Sequence, residues 1–274
     1  MNWKVFFTRT GSAIVFAIIM LAGLLGHLYQ FPMSIFVLAL LIQFLCIKEF
    51  FVICKNIFVN THFPKYLEWI TQILGIFLLV NIVFWDMSIA LVAIIPAILL
   101  MSGILNEKTA LAASFSGIVA LLYIGLAMGF LVKLWLIDLV IPIALILMIW
   151  SNDSFAYIVG SFIGKTPFSK ISPKKTWEGT GGGALITIIG TIVWAQFSPY
   201  KTIQTYDWVA MALFATVAGT VGDLLESKLK RMAGVKDSGN IMPGHGGALD
   251  RFDSLLLALP FAFCYFMMFY RVMG

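Results

Sequence analysis

The chain has 274 residues, of which 61% are hydrophobic and only 11% are charged, and this composition excludes a soluble globular enzyme. Its three cysteines form no Cys-x-x-Cys pair, so they provide neither a disulfide framework nor a zinc site. The 18 Lys and Arg residues exceed the 13 Asp and Glu residues, an excess that suits anionic lipid, phosphate ligands or membrane topology alone.

Apolar runs of about 20 residues, the length of a helix that crosses about 30 Å of hydrocarbon, recur between short polar breaks. Lipid offers no water to an open strand edge, so these runs predict an all-α integral membrane protein with about nine transmembrane helices. The predicted spans are Ser12 to Tyr29, Pro32 to Ile53, Tyr66 to Trp85, Met87 to Leu105, Leu111 to Val132, Leu134 to Trp150, Gly183 to Phe197, Asp207 to Glu226 and Phe252 to Val272. Pro96, Pro142 and Pro260 fall inside spans and are expected to kink them.

The positive charges predict the orientation of the chain in the membrane. The first apolar run has no small-x-small cleavage site after it and is interpreted as an anchor rather than a signal peptide. With nine spans, fifteen of the eighteen Lys and Arg residues fall on the side of the N-terminus, and only Lys133, Lys201 and Arg271 fall on the other. By the positive-inside rule the N-terminus is cytoplasmic and the C-terminus lies on the opposite side, which for a bacterial source means the inner membrane.

Two polar segments, residues 151–182 and 227–253, hold fourteen of the thirty-one charged residues in 59 positions, and both are expected to be cytoplasmic. Long polar stretches between spans are where a membrane protein can hold a water-soluble substrate. The sequence therefore predicts a transmembrane scaffold over residues 1–133 and a catalytic region over residues 134–274.

The first polar segment combines Asn152, Asp153 and Ser154 with a lysine cluster and a glycine run that resembles a phosphate-binding loop. A P-loop is excluded, because only three residues separate Gly160 from Gly164 where that motif needs four. These two glycines are interpreted as a close helix contact. Lys174 and Lys175 have two open interpretations. They either set the membrane topology and contact lipid headgroups, or they bind a triphosphate beside the backbone amides of the glycine run.

The second segment, with the end of the span before it, carries three acids that predict a metal site. Asp223, at helical spacing from Ser227 and Lys230, lies within an apolar span, where an acid is either functional or reaches interfacial water. Asp250 and Asp253 are either helix caps or, together with Asp223, a carboxylate cluster for Mg²⁺. The nearby cations are Lys228, Lys230, Arg231, Lys236 and Arg251. Carboxylates for metal and cations for phosphate favour phosphoryl or nucleotidyl transfer.

Two further polar residues have a less specific interpretation. His245 lies among glycines and is interpreted either as a ligand contact or as a hydrogen-bonding residue of a turn. Asp138 falls near the predicted outer surface, where an interfacial position is expected.

These residues resemble the signature of the phosphatidate cytidylyltransferases, also called CDP-diacylglycerol synthases. Twelve positions within 27 residues match it: Ser227, Lys230, Arg231, Lys236, Asp237, Gly239, His245, Gly246, Gly247, Asp250, Arg251 and Asp253. A second block of that family is similar to Asn152, Asp153, Ser154, Ser172, Lys174, Lys175, Thr176, Glu178 and Gly179. Asn240, Met242 and Ala248 depart from the pattern without removing a charged or metal-binding group.

The resemblance implies transfer of a cytidylyl group from CTP to phosphatidic acid, which gives CDP-diacylglycerol and pyrophosphate. It implies Mg²⁺ held by Asp223 and Asp250, a second, monovalent cation such as K⁺, a homodimer and membrane lipid as a partner, with no nucleic acid. The implied catalytic residues are Asp223, Lys228, Lys230, Arg231, Lys236, Asp237, His245, Asp250, Arg251 and Asp253. The implied substrate-binding residues are the second block together with Ser227, Gly246 and Gly247.

Two other functions compete with this interpretation. A lipid kinase that uses CTP or ATP would transfer one phosphate instead of the nucleotide. An ion-coupled transporter would use Asp138 and Asp223 on an ion path, but the halves of the chain do not repeat each other and the polar residues gather on one side.

Overall fold

Helices form every regular element in the part of the chain that the computed structural model describes, which is residues 3–26, 33–84, 89–105, 111–200, 202–242, 244 and 246–269. In chain order they are α1 (Trp3–Leu25), α2 (Ser34–Ile57), α3 (Lys65–Phe84), α4 (Ile89–Leu105), α5 (Leu111–Ala120), α6 (Leu126–Ile137), α7 (Val140–Ile163), α8 (Trp177–Phe197), α9 (Thr205–Leu213), α10 (Gly219–Met232) and α11 (Leu249–Phe269).

The described residues contain seven helical segments long and apolar enough to cross a membrane. Two shorter apolar segments, Ile14–Leu25 and Ile94–Ile104, lie in α1 and α4. Each of the nine predicted spans overlaps helix in the described residues. The prediction of an all-α integral membrane protein is confirmed, while the number of spans and their orientation stay predictions.

Two of the spanning segments contain a π-helical turn that the apolar pattern does not reveal. Leu121–Gly125 joins α5 to α6, and Phe214–Ala218 joins α9 to α10. The segments Leu111–Ile137 and Thr205–Met232 are therefore continuous. A π-helical turn inserts one extra residue into the helical repeat and so changes the direction in which the following side chains point.

Two local predictions are wrong. The span predicted from Gly183 begins at Trp177, so the glycine run that resembled a phosphate loop lies inside α8. Its backbone amides beyond the first turn are used by the helix itself and do not line an anion. Pro142 lies in the first turn of α7. The backbone N–H groups of a first turn have no partner within the helix, so a proline there breaks no hydrogen bond and does not kink the helix as predicted. Pro96 and Pro260 do lie inside helices.

The chain divides into two compact units. The first comprises Met1–Lys133 and Leu229–Phe252, and the second comprises Leu134–Lys228 and Asp253–Gly274. In the first unit α2 contacts α1, α3 and α5, and the buried Gln72 side chain donates a hydrogen bond to the Phe44 carbonyl at 2.9 Å. A buried amide that bonds to a neighbouring helix fixes the rotation of that helix, which apolar contacts alone do not.

The second unit is organised around the close pair α7 and α8. The backbone of Gly160 faces that of Gly179, and Gly183 lies against Ala156. The predicted helix contact at Gly160 is thus confirmed, with the glycine run of α8 as its partner. At the other end of the unit the Tyr265 hydroxyl donates to Asp207, whose second carboxylate oxygen accepts the Gln204 amide at the start of α9.

Candidate active site

The loop between α7 and α8 is an ordered hairpin. Phe168 donates its amide hydrogen to the Lys175 carbonyl at 2.8 Å, and Trp177 donates to the Thr166 carbonyl at 3.0 Å. The Thr176 hydroxyl accepts the Gly179 amide and caps α8, as expected for a threonine before a first helical turn. These hydrogen bonds fix the position from which the Lys175 side chain extends.

Glu178 ties the two ends of this loop together. Its carboxylate accepts hydrogen bonds from the amides of Lys165 and Thr166 and, at 2.7 Å, from the Thr166 hydroxyl. Thr176 and Glu178, both predicted to bind substrate, are therefore engaged in shaping the loop that carries the lysines.

Lys175 forms an ion pair with Asp223, and each side chain is 26% exposed. The Ser227 hydroxyl donates to Asp223 Oδ1 at 3.2 Å, one helical turn further along α10. Asp153 interacts electrostatically with both members of the pair, and Asn152 beside it has a buried side-chain oxygen with no hydrogen-bond partner. Asp153 and Lys175 of the first polar segment thus meet Asp223 and Ser227 of α10 in one unit.

The side chains of Asp223, Glu226 and Asp253 form a cluster, here named the carboxylate group, in which one carboxylate oxygen from each residue lies within 4.8 Å of the others. Glu226 is fully buried, and the two aspartates are half-buried. Glu226 lies one helical turn after Asp223 on α10, and Asp253 lies near the start of α11. Three carboxylates so close together repel one another unless cations neutralise them.

Gly222 explains how α10 and α11 approach closely enough to form this group. A Cβ atom at Gly222 would lie 2.5 Å from the Asp253 carbonyl oxygen and 3.1 Å from the Ser254 Cα. Backbone therefore contacts backbone at this point, which only glycine permits.

We expect Gly222→Ala to lower the rate of any reaction that depends on the carboxylate group by at least about tenfold. A displacement near 1 Å at a reacting site can lower a rate by up to about 10²-fold. Gly190→Ala in α8 is the matched control, because a Cβ there meets nothing within 4 Å. Steady-state rates of both purified variants check this. Equal rates in Gly222→Ala and Gly190→Ala would contradict the packing role.

Asp250 lies in a second cluster, within the first unit. Its Oδ1 accepts Lys230 Nζ at 2.5 Å, and its Oδ2 accepts the amides of Ser238 and Gly247 at 2.8 and 2.7 Å. The Ser238 hydroxyl is a further donor to Oδ2 at 2.9 Å. Gly246 has φ +84°, a left-handed conformation that favours glycine, and it lies directly against this carboxylate. Asp250 therefore organises the loop before α11 as well as pairing with Lys230.

The other predicted cations are spread over the surface of their units. Lys228, Arg231, Lys236 and Arg251 are exposed, as are Lys174, Asp237 and Ser154. Arg231 donates to the Val235 carbonyl at 3.1 Å, and the Ser154 hydroxyl donates to the Trp150 carbonyl within α7. Ser172 contributes its carbonyl to the loop by accepting the Lys175 amide. His245 lies outside the described residues.

Comparison with known proteins decides the family. The model of the cytidylyltransferase family matches residues 11–269, nearly the whole chain. The chain belongs to this family.

This member of the cytidylyltransferase family is similar in sequence to three curated relatives. It is 42% identical over 148 residues to the phosphatidate cytidylyltransferase of Bacillus subtilis, and the aligned residues cover 53% of this chain and 55% of the relative. It is 39% identical over 147 residues to that of Aquifex aeolicus, 53% of this chain and 54% of the relative. The chloroplastic phosphatidate cytidylyltransferase 4 of Arabidopsis thaliana is 40% identical over 131 residues, 47% of this chain and 33% of the relative. The chain thus spans about half the length, or less, of these relatives.

Two acids of these clusters, Glu226 and Glu49, are not among the site residues predicted from the sequence. Glu226 follows Asp223 by three positions and shares its helix face, so the spacing that identified Ser227 also pointed to it. Glu49, a buried residue of α2, contacts Ser238 and Ala248 in the loop before α11 and Leu249 at the start of α11. The only signal for Glu49 was an acid inside an apolar run, far in sequence from both polar segments.

Proposed function

We propose that this chain is a phosphatidate cytidylyltransferase, which joins CTP and phosphatidic acid into CDP-diacylglycerol and pyrophosphate. An oxygen of the lipid phosphate forms a bond to the α-phosphorus of CTP, and the bond from that phosphorus to the oxygen bridging to the β-phosphate breaks. Pyrophosphate leaves with the bonding electrons. The observation that carries the proposal is the cluster of Lys175, Asp223, Glu226 and Asp253 within one unit of a membrane protein of this family.

The residues of the chain position two anionic reactants and neutralise their charge. Lys175 lies beside Asp223 and presents a cation at the carboxylate group, where the triphosphate would bind. Lys174 and Lys228, two exposed cations of the same unit, would serve the lipid phosphate and the departing pyrophosphate. No covalent intermediate on the protein is required, since phosphoryl and nucleotidyl transfer depend mainly on positioning and electrostatic stabilisation.

The carboxylate group suits a magnesium ion. Asp223, Glu226 and Asp253 offer only oxygen ligands, the kind that Mg²⁺ prefers, and they would hold the ion together with phosphate oxygens. Bound there, Mg²⁺ would neutralise charge that develops on the triphosphate. The pairing of Asp223 with Asp250 stays a prediction, because the two residues belong to different units. A monovalent cation and a homodimer likewise stay predictions.

The identity of the lipid product tests the proposal. Purified protein in detergent, given phosphatidic acid, CTP and Mg²⁺, is expected to yield a lipid whose mass has increased by a cytidine monophosphate unit. A lipid that has gained only one phosphate would replace the proposal with a lipid kinase. Uptake of solute into vesicles without any nucleotide, and without a lipid product, would favour a transporter.

We expect the Lys174→Ala and Lys175→Ala double variant to raise the apparent KM for CTP by about tenfold or more, the scale for losing hydrogen bonds to a charged group. Lys175→Ala alone should account for most of the rise, because Lys175 pairs with Asp223 while Lys174 is exposed. Initial rates against CTP concentration measure this, with Lys170→Ala as the control in the same loop. An unchanged CTP dependence would return both lysines to a role in topology.

We also propose that the protein resides in the cell inner membrane with its active site facing the cytoplasm, as the positive-inside rule predicts. In a variant without native cysteines, Ser169→Cys is expected to react with a membrane-impermeant maleimide only after cells are opened. Thr202→Cys should react in intact cells. Labelling in the reverse order would invert the orientation.

A further inference from the structure

Glu49 is a carboxylate buried in a membrane-spanning helix, only 5% exposed, with hydrogen-bond donors supplied by a distant part of the chain. Its Oε2 accepts the Ser238 hydroxyl at 2.7 Å and the Leu249 amide at 2.8 Å, and its Oε1 accepts the Ala248 amide at 2.9 Å. The donors are 189 to 200 positions away in sequence. A buried charge costs several kcal/mol unless such partners satisfy it, so this contact is specific.

The backbone of the loop is shaped to fit this carboxylate at two points. A Cβ atom at Gly239 would collide with Glu49 Oε1, and a Cβ atom at Gly247 would collide with Oε2. Both ends of residues 239–247 therefore rest against one side chain. Because any side chain at either position would displace the loop, the two glycines and Glu49 form one fitted contact.

Glu49 is linked to Asp250 through Ser238. The Ser238 hydroxyl lies 2.7 Å from Glu49 Oε2 and 2.9 Å from Asp250 Oδ2, and its single proton can be donated to only one of them at a time. Glu49 also accepts the amides of Ala248 and Leu249 at the start of α11, whose first turn carries Asp250. These bonds satisfy amides that a helix N-terminus leaves unpaired, and they fix the direction of that turn.

We infer that Glu49 is a positioning residue for nucleotidyl transfer. It holds residues 238–249, here named the signature loop, so that Asp250 and Lys230 keep the geometry that the reaction needs. The inference rests on the proposed function. Glu49 acts through Ser238 and the amides of α11, so its loss should lower kcat rather than raise the KM for CTP.

Glu49→Gln tests this with little change in volume. The glutamine side chain keeps one oxygen acceptor, but its NH2 group faces the backbone N–H of Leu249 or of Ala248, so two donors face each other. We expect kcat to fall about 10²-fold, the scale for misplacing a reacting group by about 1 Å. The KM for CTP should change by less than about threefold, because interactions needed only in the transition state affect kcat.

Gln72→Met is the matched control. Gln72 is also 5% exposed, lies in the same unit and bonds to α2, but it contacts the carbonyl of Phe44 rather than the signature loop. It should keep kcat within about twofold of the wild type, although it loses a buried hydrogen bond. Equal losses of kcat in Gln72→Met and Glu49→Gln would overturn the inference in favour of general destabilisation.

Amide hydrogen exchange gives a readout that needs no substrate. In Glu49→Gln we expect amides of the signature loop to exchange at least about tenfold faster, while peptides of α3 keep their protection. Ser238→Ala, which removes one of the three donors, should give an intermediate effect on exchange and kcat and serves if Glu49→Gln does not fold.

The outcomes separate this inference from the proposed function. Unchanged exchange in the signature loop, or normal kcat despite faster exchange, would overturn the positioning role while wild-type transfer leaves the proposed function intact. If the wild type makes no cytidylyl lipid, the proposed function fails and the positioning role in transfer fails with it, whereas exchange still reports whether Glu49 holds the loop.

Discussion

Asp223→Asn is expected to lower kcat by about 10² to 10³, the scale for losing one preorganised electrostatic group. The substitution keeps the shape of the side chain but removes the charge that pairs with Lys175 and that belongs to the carboxylate group. The unfolding temperature should change little, because a partly exposed ion pair contributes only about 1 kcal/mol or less to stability. Steady-state kinetics at several Mg²⁺ concentrations, with a thermal-stability measurement, check both parts.

Asp138→Asn is the control for loss of an acid. Asp138 lies in the turn between α6 and α7, where its Oδ1 accepts the Val140 amide at 2.9 Å, outside the carboxylate group. An amide oxygen can still accept that bond, so activity should stay near the wild-type value. Near-normal turnover in Asp223→Asn would remove Asp223 from the proposed metal site.

Asp250→Asn is expected to abolish most activity and also to destabilise the protein. Lys230 and Asp250 side chains are 11% and 7% exposed, so the variant would leave a largely buried ammonium group without its counter-charge. Breaking one partner of a buried pair costs about 3 to 5 kcal/mol. The variant also weakens the bonds from Ser238 and Gly247 that shape the signature loop. A lower unfolding temperature in detergent, together with a loss of turnover, is the expected result.

A double variant separates stability from catalysis at this position. Adding Lys230→Met to Asp250→Asn removes the largely buried ammonium group that has lost Asp250, so the unfolding temperature should recover in part while activity stays low. An Asp250→Asn protein that is as stable and as active as the wild type would contradict both the buried pair and its role.

The apolar pattern predicted the membrane helices well, because the length of a span and the absence of charge are strong local signals. Each predicted run overlaps a helix, and Asp223 and Ser227 do share a helix face. The glycine run was misinterpreted because glycine permits both a phosphate loop and close helix packing. The position of the run inside α8, packed against Gly160 and Ala156 of α7, distinguishes the two.

The parts of the candidate site that sequence could not predict depend on contacts between distant residues. Glu49 is 189 positions from Ser238, and nothing in the composition of α2 indicates which loop it meets. The group of Glu226 with Asp253 requires the close approach at Gly222, which is set by tertiary packing. Spacing identifies residues on one helix face, whereas pairing between faces needs the fold.

Transfer of label from CTP radioactive at the α-phosphorus into chloroform-soluble lipid tests the central proposal most directly. Purified protein with phosphatidic acid and Mg²⁺ is predicted to move the label into lipid, and CTP labelled at the γ position should leave lipid unlabelled. Lipid labelled only from the γ position, or no lipid label from folded protein supplied with Mg²⁺, would contradict nucleotidyl transfer.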